Sequence, residues 1–535
     1  MLVRLLIAAA AMLWTTAAQA EWREASTRNF IVYSEGSEAD LRDFAEKLEK
    51  FDFILRRVHN VQAPPSPYRL RVFLLANTNA VGRMIGSDGV AGYYVDDARG
   101  MMMVGTRNGR NQVIDAESIL LHEYTHHFMY QYFPATYPTW YSEGFAEFWG
   151  ATKFLPNNVV EVGHPIEFRL RAFRPNLGFT NMSRWLHVRD MLAAQSYRDV
   201  AEVDLLYSLG WLLVRYTWEN PERRRQLQQY LALVNQGVPY ADAATRTFGD
   251  LTDLNSELFD YSGRNRWNVI QLPFREFDIG SINIRTVGAA EQALMEHEIR
   301  MSQGVRNADF PRFVEEVRAI TARFPSDPFA LRLLAEVERT ANHDQAAMAA
   351  VDRLLSVAPD DPRGLMHKAM LQIDALKAAN STDRAAWDSA RRLIARATEL
   401  NQSDPLLFEA LYDSYAAQGI VPPDEAQAAL YRAHDLAPSD TRLTYKLASD
   451  FEQRGMIRDA IAIIRADAFR VPPRTNESER QRQRRERLED RYRRAGTRRT
   501  ESAREMLERL TMRLRQEEGG AAPAPRPAPA ANPRN

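Results

Sequence analysis

The sequence predicts an α+β domain followed by an all-α solenoid of helical repeats. Its 535 residues are enough for roughly two to four domains. Strand-like and helix-like segments alternate over residues 22–115, and turns containing Pro and Asp recur between residues 290 and 470. We therefore expect five segments: a signal peptide (1–20), an α+β domain (21–285), helical repeats (286–470), a charged helix (471–519) and a disordered Pro/Ala tail (520–535).

The composition excludes several classes of site. There are 69 Lys and Arg residues against 70 Asp and Glu residues, so the formal net charge of −1 gives no overall attraction to nucleic acid or anionic lipid. The chain has no cysteine, which excludes a disulfide framework, a thiolate nucleophile, a Cys-ligated zinc site and an iron–sulfur cluster. Any metal ion must be held by His, Asp or Glu side chains.

The N-terminus has the pattern of a secretory signal. A basic start that includes Arg4 precedes the apolar run Leu5–Trp14, and the small-x-small sequence Ala18–Ala20 predicts cleavage after Ala20. The alternative, a membrane anchor, requires a longer apolar run of about 20 residues. We expect an exported protein, periplasmic or secreted, whose mature chain has no transmembrane span.

The first domain is predicted to be a small sheet with helices. Strand-like segments occupy Asn29–Tyr33 and Tyr68–Leu75, and Glu38–Val58 has helical spacing between them. Gly92–Val95 and Met101–Val104 flank a turn and predict a hairpin. From Asp115, which can cap a helix, the pattern is helical for a long way.

The second domain is predicted from a repeated turn. Pro328 and Pro362 are 34 positions apart, Pro362 and Pro405 are 43 apart, and Pro405 and Thr441 are 36 apart, with an insertion around 377–388. A helix–turn–helix unit of about 34 residues resembles the tetratricopeptide repeat. Stacked units of this kind offer a surface to a protein partner or substrate. The alternative is a solenoid that only supports or caps the first domain.

The C-terminal segments have a different composition. Residues 474–518 are dense in Arg, Glu and Gln and can form a solvated helix, whereas residues 521–535 cannot form a core. The basic excess could contact an anionic surface, although a charge run of this kind is usually a solvated helix face.

The segment around residue 122 predicts a metal site. On a helix, His122 and His126 lie one turn apart on the same face, so their rings can converge on one ion at about 2.0–2.1 Å. Glu123 sits beside that face and can reach a water molecule at the ion. This is the His-Glu-x-x-His arrangement of zinc peptidases, with Glu123 as general base.

A third ligand is suggested by a resemblance. The segment Pro138–Phe148 resembles the gluzincin (peptidase MA-like) metallopeptidases, and is closest to the aminopeptidase-type Trp-x-x-Glu-Gly-x-Ala motif. The resemblance implies a thermolysin-like or gluzincin-like catalytic domain that holds one Zn²⁺ ion, with Glu143 as the third ligand. Glu147, one turn further on, is then placed to hydrogen-bond the outer nitrogen of a ligand histidine.

A later segment extends the resemblance. Tyr207 and Gly210 match an aminopeptidase-type Tyr-x-x-Gly motif, which implies that the Tyr207 hydroxyl stabilises an oxyanion. The alternative is a core-facing tyrosine. The chain lacks a Gly-x-Met-Glu-Asn-type motif, so aminopeptidase activity is not supported. The hairpin around Met101–Val104 stands where such enzymes offer an edge strand to a peptide. His127 is expected to pack or to form a hydrogen bond rather than to bind a metal ion.

The sequence thus favours an exported zinc metallopeptidase that hydrolyses peptide bonds, with a protein or peptide substrate and room for a protein partner on the repeats. Two alternatives remain open. The first is a non-catalytic interaction or scaffold protein with a vestigial gluzincin domain. The second is a hydrolase acting on cell-wall amides.

Overall fold

The computed structural model describes residues 21–86, 90–107, 116–173, 185–194, 196–264, 267–468 and 502–517. The predicted signal peptide, the Pro/Ala tail, Asp115 and most of the charged segment lie outside the described residues. Within the charged segment, the helix Ala503–Glu517 is described.

The strands fall into two sheets. They are β1 (Arg23–Ser26), β2 (Phe30–Ser34), β3 (Leu70–Leu75), β4 (Gly92–Val95), β5 (Met102–Thr106), β6 (Lys153–Leu155), β7 (Val159–Val162), β8 (Ile270–Pro273) and β9 (Asn283–Thr286). The first sheet has the order β4-β5-β3-β2-β1-β9, and the second has the order β6-β7-β8.

Helices make up most of the remaining described chain. Those preceding the repeats are α1 (Glu38–Val58), α2 (Thr78–Ile85), α3 (Ala116–Tyr132), α4 (Thr139–Gly150), α5 (Glu167–Phe173), α6 (Val188–Ala193), α7 (Val203–Glu219), α8 (Pro221–Asn235), α9 (Tyr240–Phe248) and α10 (Leu251–Ser262). Those that follow are α11 (Ala289–Gln303), α12 (Phe310–Thr321), α13 (Pro328–Thr340), α14 (Asp344–Val357), α15 (Pro362–Ala378), α16 (Arg384–Leu400), α17 (Pro405–Ala417), α18 (Asp424–Leu436), α19 (Thr441–Gln453), α20 (Ile457–Ala468) and α21 (Ala503–Glu517).

The first sheet confirms the predicted small sheet and adds two strands to it. β2, β3 and the β4–β5 hairpin are the predicted strands, and the hairpin pairs antiparallel with Tyr93 opposite Val104. β2–β3 and β3–β5 are parallel. β1 and β9 were not predicted, and they pair with each other although about 260 residues separate them. β4 forms one edge of this sheet.

Both faces of the first sheet are covered. Alternate strand residues such as Phe30 and Val72 pack in the main core with α1 and α3, whereas Phe73 and Val104 point to the opposite face. This alternation follows from the two-residue period of a strand. On that opposite face α2 and α11 pack, with Ile299 of α11 fully buried. The helix that leads into the repeats therefore also belongs to the core of the first domain.

The second sheet differs from the long helical region that the sequence predicts after Asp115. β6 and β7 follow α4 directly, and β8 joins them from more than 100 residues further along. A strand as short as Lys153–Leu155 shows too few alternations to be recognised by its periodicity.

The predicted helical repeat is confirmed by four antiparallel helix pairs, α13/α14, α15/α16, α17/α18 and α19/α20. Each first helix begins at one of the four predicted positions, and an Asp side chain before it accepts a hydrogen bond from a backbone N–H of the first turn. These capping residues are Asp327, Asp361, Asp404 and Asp440. An Asp cap followed by Pro at the first helical position satisfies the free N–H groups of a helix start. The insertion lengthens α15 and α16 to 17 residues each, against 13 in α13.

The solenoid turns back onto the first domain. The backbone N–H of Ala98, in the β4–β5 turn, donates to Asp440 Oδ2 at 3.1 Å. Thr136 Oγ1 donates to the Ala466 carbonyl at 2.8 Å. Ala98 is fully buried, and the guanidinium of Arg99 interacts electrostatically with Glu336. These contacts join the solenoid to the first domain.

None of the helices in the described part of the chain has the length and apolar character needed to cross a membrane.

Candidate metal centre

Helix α3 supplies three of the predicted site residues. Its buried side, with Leu120, Leu121 and Phe128, packs in the main core, so the helix is held rigidly in place. His122 and His126 lie one turn apart with 3.1 Å between their Nε2 atoms. His127 lies on another face, as expected, and its Nδ1 atom is 3.0 Å from the Tyr94 hydroxyl. Burial lowers the pKa of His127 to about 3.

Helix α4 brings Glu143 to the two imidazoles. Glu143 Oε2 lies 3.3 Å from His122 Nε2 and 3.4 Å from His126 Nε2. Ligand atoms at tetrahedral corners about 2.0–2.1 Å from a zinc ion are about 3.3 Å apart. The three edges of this triangle therefore fit one such ion. The three side chains keep small exposed fractions, 15% for His122, 13% for His126 and 10% for Glu143.

The outer nitrogens of both histidines face polar groups. Glu147 Oε1 is 3.7 Å from His122 Nδ1, which is within ion-pair range but too long for the predicted hydrogen bond. Arg169 donates instead to Glu147. Ser142 Oγ is 3.2 Å from His126 Nδ1. The sequence analysis did not identify Ser142 or Arg169, although Ser142 directly precedes Glu143 and therefore lies on the same helix turn.

The charges around the triangle favour a cation. Burial opposes a charge on His122, but Glu143, Glu147 and Glu123 outweigh it and raise the pKa of His122 to about 9. Burial also acts against a charge on Glu143, yet the two histidines hold its pKa well below the usual range. Burial raises the pKa of Glu123. Three carboxylates thus surround two imidazoles in a protected site.

Two glycines explain how Glu143 and Tyr207 come close. A Cβ atom on Gly144 of α4 would lie 2.3 Å from the carbonyl carbon of Gly210 in α7. A Cβ atom on Gly210 would lie 2.4 Å from the Trp140 carbonyl oxygen. Both motif glycines are therefore needed for the close crossing of α4 and α7, which carry Glu143 and Tyr207.

Tyr207 reaches the triangle through a second tyrosine. The Tyr207 hydroxyl donates to the Tyr197 hydroxyl at 3.4 Å, and the Tyr197 hydroxyl donates to Glu143 Oε1. The two rings are stacked, with centroids 6.0 Å apart and an interplanar angle of 17°. Tyr197 lies in the short 3₁₀ turn Tyr197–Asp199. The sequence analysis missed it, because so short a turn has no periodic pattern to mark it.

Strand β4 runs beside the part of α3 that carries Glu123. A Cβ atom on Gly92 would lie 2.7 Å from Ile119 Cγ2 and 3.5 Å from Glu123 Cγ. The next strand residues are anchored, since Tyr93 donates to Gln303 at 2.5 Å and Tyr94 contacts His127. The predicted hairpin therefore places an edge strand next to Glu123.

Comparison with protein-family models and with curated proteins gave no match for this chain. Parts of it are similar to solved tetratricopeptide repeat proteins. One from Thermus thermophilus is 21% identical, covering 35% of this chain and 90% of its own, with a TM-score of 0.27. Another, from Parabacteroides merdae, is 13% identical, covering 55% and 100%, with a TM-score of 0.26. PilF from Pseudomonas aeruginosa is 14% identical, covering 40% and 86%, with a TM-score of 0.26. Scores this low carry no argument, so the repeat is assigned from its own helix pairs and capping residues.

Proposed function

We propose that this chain is an exported zinc-dependent metallopeptidase of the gluzincin type. The observation that carries the proposal is the triangle formed by His122 Nε2, His126 Nε2 and Glu143 Oε2, with edges of 3.1–3.4 Å. Two imidazoles and one carboxylate are a donor set typical of catalytic zinc, since they leave a fourth position open. An all-oxygen set would instead suit Mg²⁺ or Ca²⁺.

The residues around the triangle have distinct roles in the proposed reaction. A bound zinc ion would supply Lewis acidity toward the substrate carbonyl and toward water. Glu123 accepts the proton of the attacking water and passes it to the leaving amine. The Tyr207 hydroxyl, which donates to the Tyr197 hydroxyl in this structure, would donate instead to the oxygen on which negative charge develops. β4 is an edge strand of the sheet in the described part of the chain, and an extended peptide could pair with its backbone.

A second candidate function is supported by the helical repeats. Stacked helix pairs are a common platform for protein partners, so an interaction protein with a vestigial gluzincin domain accounts for the solenoid. It does not account for Glu123, because a scaffold has no use for a general base beside the two histidines.

The decisive experiment measures zinc content and hydrolysis together. Purified protein, zinc-loaded, is assayed on casein, on quenched fluorescent peptides and on murein fragments, with bound zinc measured by mass spectrometry. Glu123→Gln should lower hydrolysis about 10²–10⁴-fold, the usual contribution of a general base, and leave one zinc ion bound. Glu117→Gln is the matched control, since Glu117 lies on the same helix but pairs with Lys47 at 2.8 Å.

Each outcome decides between the candidates. Hydrolysis that survives in zinc-loaded Glu123→Gln removes Glu123 from the role of base. Wild-type protein that binds no zinc, or binds it without any hydrolysis, leaves the interaction function as the better account. Cleavage of murein fragments alone assigns the site to cell-wall amides.

A further inference from the structure

Glu143 uses its two oxygens for different partners. Oε2 faces the imidazoles of His122 and His126 at 3.3 and 3.4 Å, whereas Oε1 accepts the hydrogen bond from the Tyr197 hydroxyl. A carboxylate held in this way offers one oxygen to an ion and cannot rotate to offer both. The hydrogen bond from Tyr197 therefore determines the orientation in which the Glu143 carboxylate faces the two imidazoles.

We propose that Tyr197 is a positioning residue of the metal centre, which fixes Glu143 as a ligand through one oxygen and aligns Tyr207 beside it. The inference rests on the proposed function, because it assigns a role toward the ion that the triangle would hold. It adds a residue that none of the three sequence motifs contains.

The surroundings of Tyr197 support a positioning role. Its side chain is 37% exposed, yet its hydroxyl points inward to a carboxylate of a residue that is only 7% exposed. A tyrosine at the surface has no structural need for such a contact, since solvent could satisfy its hydroxyl. The inward orientation is instead determined by Glu143 on one side and by the stacked ring of Tyr207 on the other.

The alignment of Tyr207 follows from the same contacts. The Tyr207 hydroxyl donates to Tyr197, and its ring lies 4.6 Å from the guanidinium carbon of Arg169. Arg169 in turn holds Glu147. Tyr207 thus lies between Tyr197, which binds Glu143, and Arg169, which binds Glu147. Tyr207 itself makes no hydrogen bond to Glu143 among the described contacts.

The two tyrosines should therefore respond differently to loss of the hydroxyl. Tyr197→Phe keeps the stacked ring but removes the hydrogen bond to Glu143, and removal of such a supporting bond typically lowers metal affinity about 10–100-fold. Tyr207→Phe removes no contact with Glu143, so we expect its zinc affinity to stay at the wild-type value while kcat falls.

The experiment is a chelator-competition titration of Zn²⁺ with the full-length wild type, Tyr197→Phe, Tyr197→Leu and Tyr207→Phe. We expect both substitutions of Tyr197 to weaken zinc binding about 10–100-fold. Unfolding midpoints of the metal-free proteins are measured alongside, because loss of the hydroxyl also leaves the buried Glu143 Oε1 without this donor. The Co²⁺-substituted proteins add a spectroscopic readout, and the absorption bands should change in Tyr197→Phe but not in Tyr207→Phe.

The results separate this inference from the proposed function. If the wild type and Tyr197→Phe bind zinc with equal affinity, the positioning role of Tyr197 is overturned. The metallopeptidase proposal then still stands. An equal loss of affinity in Tyr207→Phe also overturns it, since the hydroxyl contact with Glu143 would then not be the cause. Wild type that binds no zinc overturns both.

Discussion

Asp440 joins the helical repeats to the first domain through one carboxylate. Oδ1 accepts the N–H of Arg442 at 2.8 Å and thereby caps α19, while Oδ2 accepts the N–H of Ala98 in the β4–β5 turn at 3.1 Å. Asp440 is 5% exposed and Ala98 is fully buried. Asp440→Ala therefore removes a helix cap and also leaves a buried backbone N–H without this acceptor.

Two of the lost contacts set the expected cost, and the Arg442 guanidinium also loses its hydrogen bond to Asp440 Oδ2 at 3.1 Å. Loss of the cap lowers the free energy of unfolding by about 1 kcal/mol, and an unsatisfied buried N–H group costs a further amount of about 1–3 kcal/mol. We expect a total loss of about 2–4 kcal/mol. Asp327→Ala is the matched control, because Asp327 caps α13 through the Ala330 N–H at 3.0 Å. It should cost only about 1 kcal/mol.

The assay compares thermal unfolding and hydrogen exchange of both variants. Asp440→Ala should speed exchange in the Gly92–Thr106 segment, since the turn loses its acceptor, whereas Asp327→Ala should leave exchange in that segment at the wild-type rate. Equal destabilisation by the two variants, with unchanged exchange in the hairpin, would refute the claim that Asp440 holds the turn.

Three further results are expected. Gly144→Ala should cost about 1–3 kcal/mol in thermal unfolding and weaken zinc binding, because an added Cβ would come within 2.3 Å of the α7 backbone. His126→Asn should abolish stoichiometric zinc binding in mass spectrometry, whereas His164→Asn should not, since His164 pairs with a glutamate of β7. Burial and the Asp97 carboxylate raise the pKa of Asp440 to about 7. The stabilisation that comes from this raised pKa is therefore fully present below the ordinary Asp pKa of about 4. As the pH rises through the raised value, the free energy of unfolding falls and this stabilisation is lost. In Asp97→Asn, the urea-unfolding midpoint should fall less as the pH rises than it does in the wild type.

The features predicted from sequence are those with a local pattern. The spacing of His122 and His126 is a helical period, and the Asp that caps each repeat, followed by Pro in three of the four, acts on its own helix turn. Their effect does not depend on distant parts of the chain.

The features that sequence reasoning missed depend on contacts between distant segments. β1 and β9 pair across about 260 residues, and β8 joins β7 across more than 100. Tyr197 contacts Glu143 from a turn 54 positions away. The close crossing of α4 and α7 gives Gly144 and Gly210 a physical role, but only once both helices are placed together.

The position of the β4–β5 hairpin determines whether the proposed hydrolysis and the binding of a partner to the solenoid can occur together. We call the side of the solenoid that bears Asp440 the inner face, and the hairpin turn already lies against it through Ala98. The same hairpin runs beside Glu123. A partner that binds to the inner face would have to displace the hairpin turn. Strand β4 would then lose its fixed position next to Glu123. If the proposed hydrolysis takes place at this site, a partner bound at the inner face should change its rate, and a partner that leaves the rate unchanged must bind elsewhere on the solenoid.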